Sequence, residues 1–469
     1  MTFQNDTIAA IATAMSDSGI GIVRISGDEA IEIADKIFRS VNPDKKLKNV
    51  KSHTVHYGFI YDGDTFLDEV MVIVMKGPRS YTTENTVEIN CHGGILMVNR
   101  ILETVIKYGA RLAEPGEFTK RAFLNGRIDL SKAEAVIDII HSKNEFALQA
   151  GTAQLKGSVS NAVKDMREKI LYEIAFIESA LDDPEHISLN GFSERILEKV
   201  ESLIAQISKL IHSADNGKML KEGINTVILG KPNAGKSSLM NLLVGEEKAI
   251  VTNIAGTTRD ILEENIKLHG IGLNIIDTAG IRETEDIVEK IGVEKALKCA
   301  EKADLVIYVV DSSVALDESD YAIMDFMKQK KSIVLLNKTD LETFVTEEAL
   351  MRELLKYIGT NAENMPIIKT STKENIGIDV FENQIKEMFF HGQISFNDEV
   401  YITNMRHKEA LMEALKSLKL VKSSIEDEMP EDFLSIDLMS AYASLGTIIG
   451  EEVGEDLVNE IFSKFCMGK

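Results

Sequence analysis

The spacing of apolar residues changes along the chain, and each change predicts a different kind of structure. Residues 1–122 contain short β-branched runs, such as IGIVRIS at 20–26 and EVMVIVM at 69–75, which are typical of strands. From 123 to 216 the apolar residues recur at helical spacing, with a break at the Asp-Asp-Pro of 182–184. We therefore predict a strand-rich α+β region followed by helices.

One helix start is predicted from its capping residues. The sequence SKAE at 131–134 has the spacing of a capping box, in which a serine accepts a backbone hydrogen bond and a glutamate three residues later returns one. The apolar residues that follow recur on one helical face. We therefore expect a helix that is capped by Ser131.

The second half of the chain returns to helices after a different pattern. Short strands alternate with helices from 217 to 384, which predicts a mainly parallel sheet covered by helices. From 385 to 469 the pattern is helical again. The simplest organisation is therefore one helical domain into which the α/β domain is inserted. A domain with both ends anchored in a helical body can transmit movement to that body.

Composition and charge exclude several classes of protein. Asp and Glu number 75 against 52 Lys and Arg, a net charge of −23, so the chain lacks the overall basic character of many nucleic-acid-binding proteins. A local basic patch can still bind RNA, because charges act over about 10 Å at moderate salt. The three cysteines, Cys91, Cys299 and Cys466, form no CxxC pair, which argues against a disulfide framework or a zinc site.

The same survey predicts the compartment. The amino-terminal segment lacks the basic region of a secretory signal, and the later apolar runs are far shorter than the roughly 20 residues that span a bilayer. Cysteines without a disulfide pattern fit a reducing environment. We expect a cytoplasmic protein with no membrane segment.

The strongest chemical signal is GKPNAGKS at 230–237, between an apolar run at 226–229 and a helical stretch. In such a loop the glycines let backbone N–H groups curl around phosphate oxygens. Lys236 would neutralise the β- and γ-phosphates, and the Ser237 hydroxyl would bind Mg²⁺. A chance glycine-rich turn is the alternative, and the strand–loop–helix context argues against it.

Three further motifs follow in the order of a GTPase, each after a predicted strand. The aspartate of DTAG (277–280) would hold Mg²⁺ through water, and its glycine N–H would meet the γ-phosphate. In NKTD (337–340), Asp340 can accept hydrogen bonds from guanine N1 and the exocyclic amine, which adenine does not offer. STK (371–373) would complete the base pocket. Each motif alone is weak, but the four in sequence predict guanine over adenine.

The segment between the first two motifs, AGTTRD at 255–260, is the expected switch region. The Thr258 hydroxyl would reach Mg²⁺ only when the γ-phosphate is present. Arg259 has two interpretations, an arginine finger in cis or, more commonly, a structural or partner contact. Ile281 follows DTAG, where Ras-like proteins have a water-orienting glutamine. Another catalytic group is therefore needed, or hydrolysis is very slow.

Motifs along essentially the whole chain resemble those of the MnmE (TrmE) family of tRNA-modification GTPases. The matching segments are IGIVRISG (20–27), SYTTEN (80–85), CHGG (91–94), EPGEFTKRAFLNGRIDL (114–130), the GTPase motifs with TTRD, and the segment 443–469. PGEF…AFLNGR together with the final FC-x-GK is a specific combination.

The resemblance implies a multidomain α+β and α/β fold. The expected parts are an N-terminal α+β folate-binding and dimerisation domain at 1–122, a central all-helical domain formed by 123–216 and 385–469, and an inserted Ras-like P-loop GTPase domain at 217–384.

The resemblance also implies how hydrolysis is catalysed. In this family a potassium ion beside the β- and γ-phosphates replaces an arginine finger when the G domains of two subunits meet. The implied potassium ligands are Asn233, Thr252, Ile254 and Thr257, and the implied magnesium ligands are Ser237 and Thr258. Glu289 matches the catalytic carboxylate that positions the attacking water through a bridging water. From the residues alone it would be a solvated helix glutamate.

The residues expected to contact GTP comprise the phosphate loop, the switch segment and the three later motifs. They are Asn233, Ala234, Gly235, Lys236, Ser237, Ser238, Thr252, Asn253, Ile254, Ala255, Gly256, Thr257, Thr258, Asp277, Thr278, Ala279, Gly280, Asn337, Lys338, Asp340, Ser371, Thr372 and Lys373.

The N-terminal region resembles a module that binds 5-formyl- or 5,10-methylene-tetrahydrofolate. The matching positions are Arg24, Glu84, Arg127 and Lys469. A carboxylate can pair with the N–H edge of a pterin, and an arginine suits the glutamate tail of the ligand. Cys466 is expected either near this pocket or as a buried inert thiol.

The implied function is that of a potassium-stimulated, homodimeric GTPase that acts with the flavoprotein MnmG (GidA) in a heterotetramer or larger complex. It would convert C5 of the wobble uridine, position 34, of certain tRNAs to a carboxymethylaminomethyl or aminomethyl derivative with a tetrahydrofolate one-carbon unit. The alternative is an Era-like regulatory or ribosome-assembly GTPase, which shares the GTPase motifs and adds a basic RNA-binding domain. Tetrahydrofolate binding would distinguish the two.

Overall fold

The computed structural model describes residues 6–186, 191–246, 263–268, 271–276, 303–390, 400–451, 453–466 and 468. Its internal contacts divide the chain into two compact units. The first comprises Met1–Ile140, Gln154–Ile204 and Glu413–Lys469, and the second comprises His141–Ala153 and Ala205–Met412. Every helix in the described ranges is too short or too polar to cross a membrane.

The first unit contains a seven-stranded sheet. Its strands are β1 (Ile8–Ile11), β2 (Ser18–Ser26), β3 (Phe38–Ser40), β4 (Thr54–Asp62), β5 (Thr65–Met75), β6 (Thr86–Gly93) and β7 (Arg111–Leu112). They lie in the order β3-β4-β5-β6-β2-β1-β7, and neighbours are antiparallel except for β1 and β7. The strand-rich prediction for this region is confirmed.

Two helices, α1 (Ala30–Ile37) and α2 (Ile95–Lys107), share the apolar core of this sheet. The core follows from strand periodicity, because successive side chains of a strand point to opposite faces. On β5, Val70, Val72 and Val74 are buried, whereas Met71 between them is exposed. The alternating pattern thus decides which face the helices cover.

The remaining helices of the chain before β8 are α3 (Glu117–Leu124), α4 (Leu130–Ile140), α5 (Glu145–Lys156), α6 (Ser158–Asp182) and α7 (Phe192–Glu222). The predicted break at 182–184 is confirmed, because α6 ends at Asp182. Helix α7 continues beyond 216, where the helical pattern was expected to end, and Met219 on this extension packs against the core of the second unit.

The predicted cap of α4 is wrong. Asp129 caps this helix, because its Oδ1 accepts hydrogen bonds from the Lys132 backbone N at 3.1 Å and the Ser131 hydroxyl at 2.6 Å. Its Oδ2 accepts a bond from the Ser160 hydroxyl at 2.7 Å. Aspartate and serine are comparable caps, and this tertiary contact on Asp129 distinguishes the two.

The second unit contains a six-stranded sheet. Its strands are β8 (Ile224–Leu229), β9 (Glu263–Leu268), β10 (Ile271–Ile276), β11 (Leu305–Asp311), β12 (Ser332–Asn337) and β13 (Ile367–Lys369), in the order β13-β12-β11-β8-β10-β9. Neighbouring strands are parallel except for β9 and β10. The predicted mainly parallel sheet is confirmed.

Helices cover both faces of this sheet. The helices that pack on it are α8 (Lys236–Glu246), α9 (Glu318–Phe326), α10 (Glu347–Ile358) and α11 (Ile378–Phe390). The later helices α12 (Met405–Glu426), α13 (Glu431–Ile449) and α14 (Glu455–Ser463) belong mostly or wholly to the first unit. All of β11 is buried, with Ile307 and Val309 in one apolar cluster and Val306, Tyr308 and Val310 in the other. A strand buried on both faces gives a continuous apolar run.

Within the first unit, α13 packs along α6 around a nearly buried arginine. The Arg167 guanidinium lies 3.9 Å from the Tyr442 ring centroid and donates to the Glu451 carboxylate at 2.5 Å. A Cβ on Gly446 would lie 2.9 Å from Arg167 Nη1. The close approach of these two helices therefore depends on a glycine opposite the guanidinium.

Candidate functional site

The predicted GTP motifs meet at one edge of the parallel sheet. GKPNAGKS follows β8, NKTD begins at the last residue of β12, and STK follows β13. Because these strands are parallel, their carboxyl ends lie at the same edge, where ligands of open α/β sheets bind. The sheet therefore brings together motifs that are more than one hundred residues apart in sequence.

The phosphate loop has the backbone that its glycines predict. Gly230 has a φ of +152°, and a Cβ there would lie 2.4 Å from the Val309 carbonyl oxygen. Gly235 has a φ of +106°, and Asn233 also lies in the left-handed region at 61°. Helix α8 begins at Lys236, so the N–H groups of its first turn point into the loop. This is the geometry of an anion-binding loop.

Lys236 lies within this loop and is half-buried. Its Nζ donates to the carbonyl oxygens of Gly230 at 2.7 Å and Lys231 at 2.6 Å. Burial lowers the pKa of the Lys236 ammonium below its ordinary value. Two neutral carbonyls compensate a buried charge less well than an anion does, so the site favours a phosphate.

Asn337 connects the phosphate loop to the base motifs. Its side chain is fully buried, and Nδ2 donates to the Ala234 carbonyl oxygen at 2.9 Å. Its Oδ1 accepts bonds from the Thr372 backbone N at 3.1 Å and the Thr370 hydroxyl at 3.3 Å. The amide thus joins two loops, the phosphate loop and the loop after β13, to the end of β12. A Cβ on Gly235 would lie 2.2 Å from Asn337 Nδ2, so this loop position must be glycine.

Two further side chains of NKTD, those of Asp340 and Lys338, have partners that orient them. Ser371 Oγ donates to Asp340 Oδ1 at 2.7 Å, and the aspartate stays exposed to a ligand. Lys338 has a φ of 62°, and its ammonium lies 2.5 Å from Asp311 Oδ2. Burial raises the pKa of Asp311, but Lys338 and Ser313 outweigh it and hold that pKa below its ordinary value.

Several predicted residues have less defined surroundings. Ser237 and Ser238 are exposed on the first turn of α8, and Lys373 is exposed beside Glu374. The switch and catalytic residues lie outside the described residues, as does the last lysine; these are Thr252, Asn253, Ile254, Ala255, Gly256, Thr257, Thr258, Asp277, Thr278, Ala279, Gly280, Glu289 and Lys469.

A second candidate site lies in the first unit, around Tyr81. The Arg24 and Arg127 guanidinium carbons are 5.4 Å and 4.6 Å from the centroid of its ring. Arg24 also donates to Glu88 Oε1 at 2.8 Å and to the Gly468 carbonyl oxygen at 3.0 Å. Two predicted folate residues and the segment next to Lys469 therefore come together here.

Glu84 is held beside them by a buried arginine. Its Oε2 accepts a bond from the Ser26 hydroxyl at 2.7 Å, and both carboxylate oxygens lie 3.1–3.2 Å from Arg121 Nη1. Arg121 Nη2 also donates to Asp6 Oδ1 at 2.8 Å and Glu117 Oε1 at 2.9 Å. Arg121 is not among the residues predicted from the sequence, although it lies in the KRAFLNGR segment that supports the resemblance.

The two described cysteines differ in environment. Cys91 is buried, and burial together with the charge of Asp68 raises the pKa of its thiol to about 11. Cys466 is exposed, and its carbonyl oxygen accepts a bond from the Gly116 backbone N at 3.2 Å. The structure therefore contradicts a buried inert thiol at Cys466, which lies two residues before Gly468.

Two family profiles match most of the chain: "GTP-binding protein TrmE N-terminus" matches residues 7–127, and "MnmE helical domain" matches residues 130–466. A protein described as "tRNA modification GTPase MnmE" from Lachnoclostridium phytofermentans is 60% identical over 99% of this chain and 100% of its own length. One of the same description from Acetivibrio thermocellus is 48% identical over 100% of both chains. The structure of a probable GTP-binding protein, engB, aligns with 36% of this chain and with 99% of its own chain, at 22% sequence identity. The TM-score of this alignment is 0.27, which is too low to compare the folds.

We predict that GDP binding takes up a proton at alkaline pH. Burial lowers the pKa of Lys236 below 10.5 in the ligand-free protein, whereas a bound phosphate raises it. Affinity is therefore highest below the lowered pKa and falls as the pH rises from that value towards the higher pKa of the complex.

Calorimetry at about pH 8.5, where most guanine N1–H of the nucleotide is still protonated, in two buffers that differ in ionisation enthalpy, measures this uptake. Lys356→Met, which removes an exposed lysine of α10, should leave it unchanged. Equal binding heats in the two buffers would contradict the prediction.

Proposed function

Because the chain belongs to the MnmE family and is a GTPase in tRNA modification, we propose that it is a potassium-stimulated homodimer that uses a tetrahydrofolate one-carbon unit. With the flavoprotein MnmG it modifies C5 of the wobble uridine of certain tRNAs. Residues 1–122 form the folate-binding and dimerisation domain and 217–384 the GTPase domain. Residues 123–216 and 385–469 form one helical domain.

The observation that carries GTP binding is the buried Asn337 amide. It joins the phosphate loop at Ala234 to the base motif at Thr372, so the site can recognise both ends of one nucleotide. Backbone N–H groups at the start of α8 receive phosphate oxygens, with Lys236 as the counter-charge. At the other end, the Asp340 carboxylate accepts the two N–H donors of guanine.

Asp340→Asn tests the selection of guanine. The amide presents a donor where guanine also presents one, so GTP affinity should fall about 10²-fold, as expected for lost hydrogen bonds to a charged group. Xanthine presents an oxygen at that position, so xanthosine triphosphate should bind and be hydrolysed.

Direct titration of each variant with fluorescent GDP and with fluorescent xanthosine diphosphate gives the affinities. Asp379→Asn, a change of an exposed aspartate on α11, is the matched control. If Asp340→Asn still prefers GTP over xanthosine triphosphate, the Asp340 side chain does not select the base.

Magnesium and potassium fit the donors that the family implies. Ser237 on the first turn of α8 supplies a hydroxyl for Mg²⁺, with Thr258 as the second ligand. The potassium set of Asn233, Thr252, Ile254 and Thr257 consists of oxygen donors, and Asn233 is exposed on the phosphate loop. Bound potassium would supply positive charge beside the β- and γ-phosphates.

Because Ile281 cannot orient water, hydrolysis needs another catalytic contribution. A positive charge supplied at the phosphates is worth ~10³–10⁵ in rate. We therefore assign the potassium ion this role and Glu289 the positioning of the attacking water. Arg259 is the competing source of positive charge, as a finger in cis.

GTP turnover in KCl should be about tenfold or more above turnover in NaCl at equal ionic strength, because the smaller sodium ion fits a potassium site poorly. Asn233→Ala should remove this difference while GDP binding persists. Equal rates in the two salts, together with loss of turnover in Arg259→Ala, would assign the charge to the arginine.

The folate proposal is supported by the side chains around Tyr81. Arg24 and Arg127 lie against this ring, so an aromatic surface and two cations are available to an aromatic anionic ligand. Glu84, held by Ser26 and Arg121, is the carboxylate that pairs with the pterin N–H edge. Lys469 follows Gly468, whose carbonyl bonds to Arg24, and is the fourth ligand.

Glu84→Gln should weaken 5-formyl-tetrahydrofolate binding about 10- to 100-fold, because the amide replaces a charged acceptor with a donor. Glu103→Gln, on the exposed surface of α2, is the control. GTP turnover should be unchanged, since Glu84 lies in the other unit. Wild-type affinity in Glu84→Gln would contradict the pterin assignment.

The second candidate function is an Era-like regulatory GTPase. Only the GTPase motifs, which this chain shares with such proteins, support it. The chain has a net charge of −23, whereas an appended RNA-binding domain is basic. Absence of tetrahydrofolate binding to the wild-type protein would favour the switch.

A further inference from the structure

Lys231 belongs to the phosphate loop, but its ammonium is bound by the connection that follows β11. Its Nζ lies 2.8 Å from Asp320 Oδ2 and 3.1 Å from Asp317 Oδ2, and it donates to the Ala315 carbonyl oxygen at 2.9 Å. The lysine side chain is only 13% exposed. No GTPase motif includes these three partners.

Asp320 is held rigidly enough to act as an anchor. It is fully buried, and its Oδ1 accepts a bond from the buried Tyr308 hydroxyl at 2.7 Å. Its Oδ2 also accepts a bond from the Asp317 backbone N at 3.0 Å, as part of the capping box of α9. The carboxylate thus has partners from β11, from α9 and from the phosphate loop.

The ion pair holds its charge despite this burial. Burial lowers the pKa of Lys231, but Asp320 and Asp317 outweigh that effect and hold the pKa above its ordinary value. Lys236 has the opposite shift, because its partners are neutral carbonyls. The two lysines of the loop therefore have different roles, one as a fixed anchor and the other as the phosphate-binding charge.

The backbone of Lys231 connects the anchor to the phosphate-binding residues. Its carbonyl oxygen accepts bonds from Lys236 Nζ at 2.6 Å and from the Ala234 backbone N at 3.2 Å. Movement of Lys231 would therefore displace the ammonium that meets the phosphates and the turn that leads into α8. Gly230, on its other side, lies against the Val309 carbonyl and limits movement there.

We propose that Lys231 is a positioning residue, whose ion pair with Asp320 and Asp317 holds the phosphate loop in its nucleotide-binding conformation before the nucleotide arrives. Without this anchor, the loop must be ordered on binding, and the affinity for nucleotide falls. The loss applies equally to the ground state and the transition state. This inference rests on the proposed GTP binding. It adds Lys231, which lies outside the direct nucleotide contacts, to the residues that determine nucleotide affinity.

The test removes both charges of the buried pair. Lys231→Met alone would leave Asp320 without its counter-charge and would lower stability as well. The double variant Lys231→Met/Asp320→Asn avoids the unpaired charge, because both side chains are neutral and the amide oxygen still accepts the Tyr308 hydroxyl. Its NH2 group cannot accept the Asp317 backbone N–H, so Asp320→Asn alone, which keeps the Lys231 pair with Asp317, measures the loss of that cap bond. Lys231→Arg keeps the charge and is the rescue variant, and Lys356→Met is the surface control.

For the double variant, we expect Kd for GDP and KM for GTP to rise together about tenfold, which corresponds to ~1.4 kcal/mol. The kcat should stay within about twofold, since the loss is uniform. Lys231→Arg and Lys356→Met should bind as the wild type does. Thermal melting of each variant in the absence of nucleotide measures the structural contribution separately.

Two results would overturn the inference while leaving GTP binding intact. These are wild-type affinity in the double variant, whether or not its melting temperature changes, and a fall in kcat at constant KM. If the wild-type protein itself bound no GDP, the proposed function would fail first and the inference with it.

Discussion

The arrangement of the nucleotide site depends on one buried amide, that of Asn337. A buried polar group must be hydrogen-bonded, because leaving a donor or acceptor unsatisfied costs about 1–3 kcal/mol. This amide satisfies both its donor and its acceptor only when the phosphate loop, the end of β12 and the loop after β13 are all in place. The phosphate loop, the end of β12 and the loop after β13 are therefore held together by the requirement that buried polar groups be hydrogen-bonded. This arrangement exists before any ligand binds.

In the first unit, ion pairs rather than neutral hydrogen bonds hold the ligand-facing carboxylate in place. Arg121 is buried among three carboxylates, those of Asp6, Glu84 and Glu117, and a buried guanidinium is tolerated only when it is paired. Glu84 therefore has a structural partner and, in our proposal, a ligand. Ion pairing fixes its position without using all its acceptor capacity, since a carboxylate offers about four lone-pair sites. In both units the ligand-facing group is oriented by a partner from a different segment.

Local sequence patterns predicted the elements and motifs because each depends on neighbouring residues. The strands before each GTPase motif, the parallel sheet and the break after α6 followed from periodicity and turn residues. The hydrogen-bond and ion-pair partners of the site residues could not be predicted in this way, because they are distant in sequence. Asn337 and Ala234 are 103 residues apart, and Arg121 and Glu84 are 37 apart. The cap of α4 shows the same limit, because Asp129 and Ser131 are comparable caps by sequence and the distant Ser160 bonds to Asp129. The ion pairs of Asp311 with Lys338 and of Lys231 with Asp320 could not be predicted for the same reason.

The bond from Arg24 to the Gly468 carbonyl has a consequence for synthesis of the protein. The two residues are separated by 444 positions, and the whole GTPase domain lies between them. At the usual pace of translation, Arg24 waits roughly 20–90 s on the ribosome for this acceptor. The pocket around Tyr81 is therefore completed last, after the nucleotide site has emerged, although its sheet is made first.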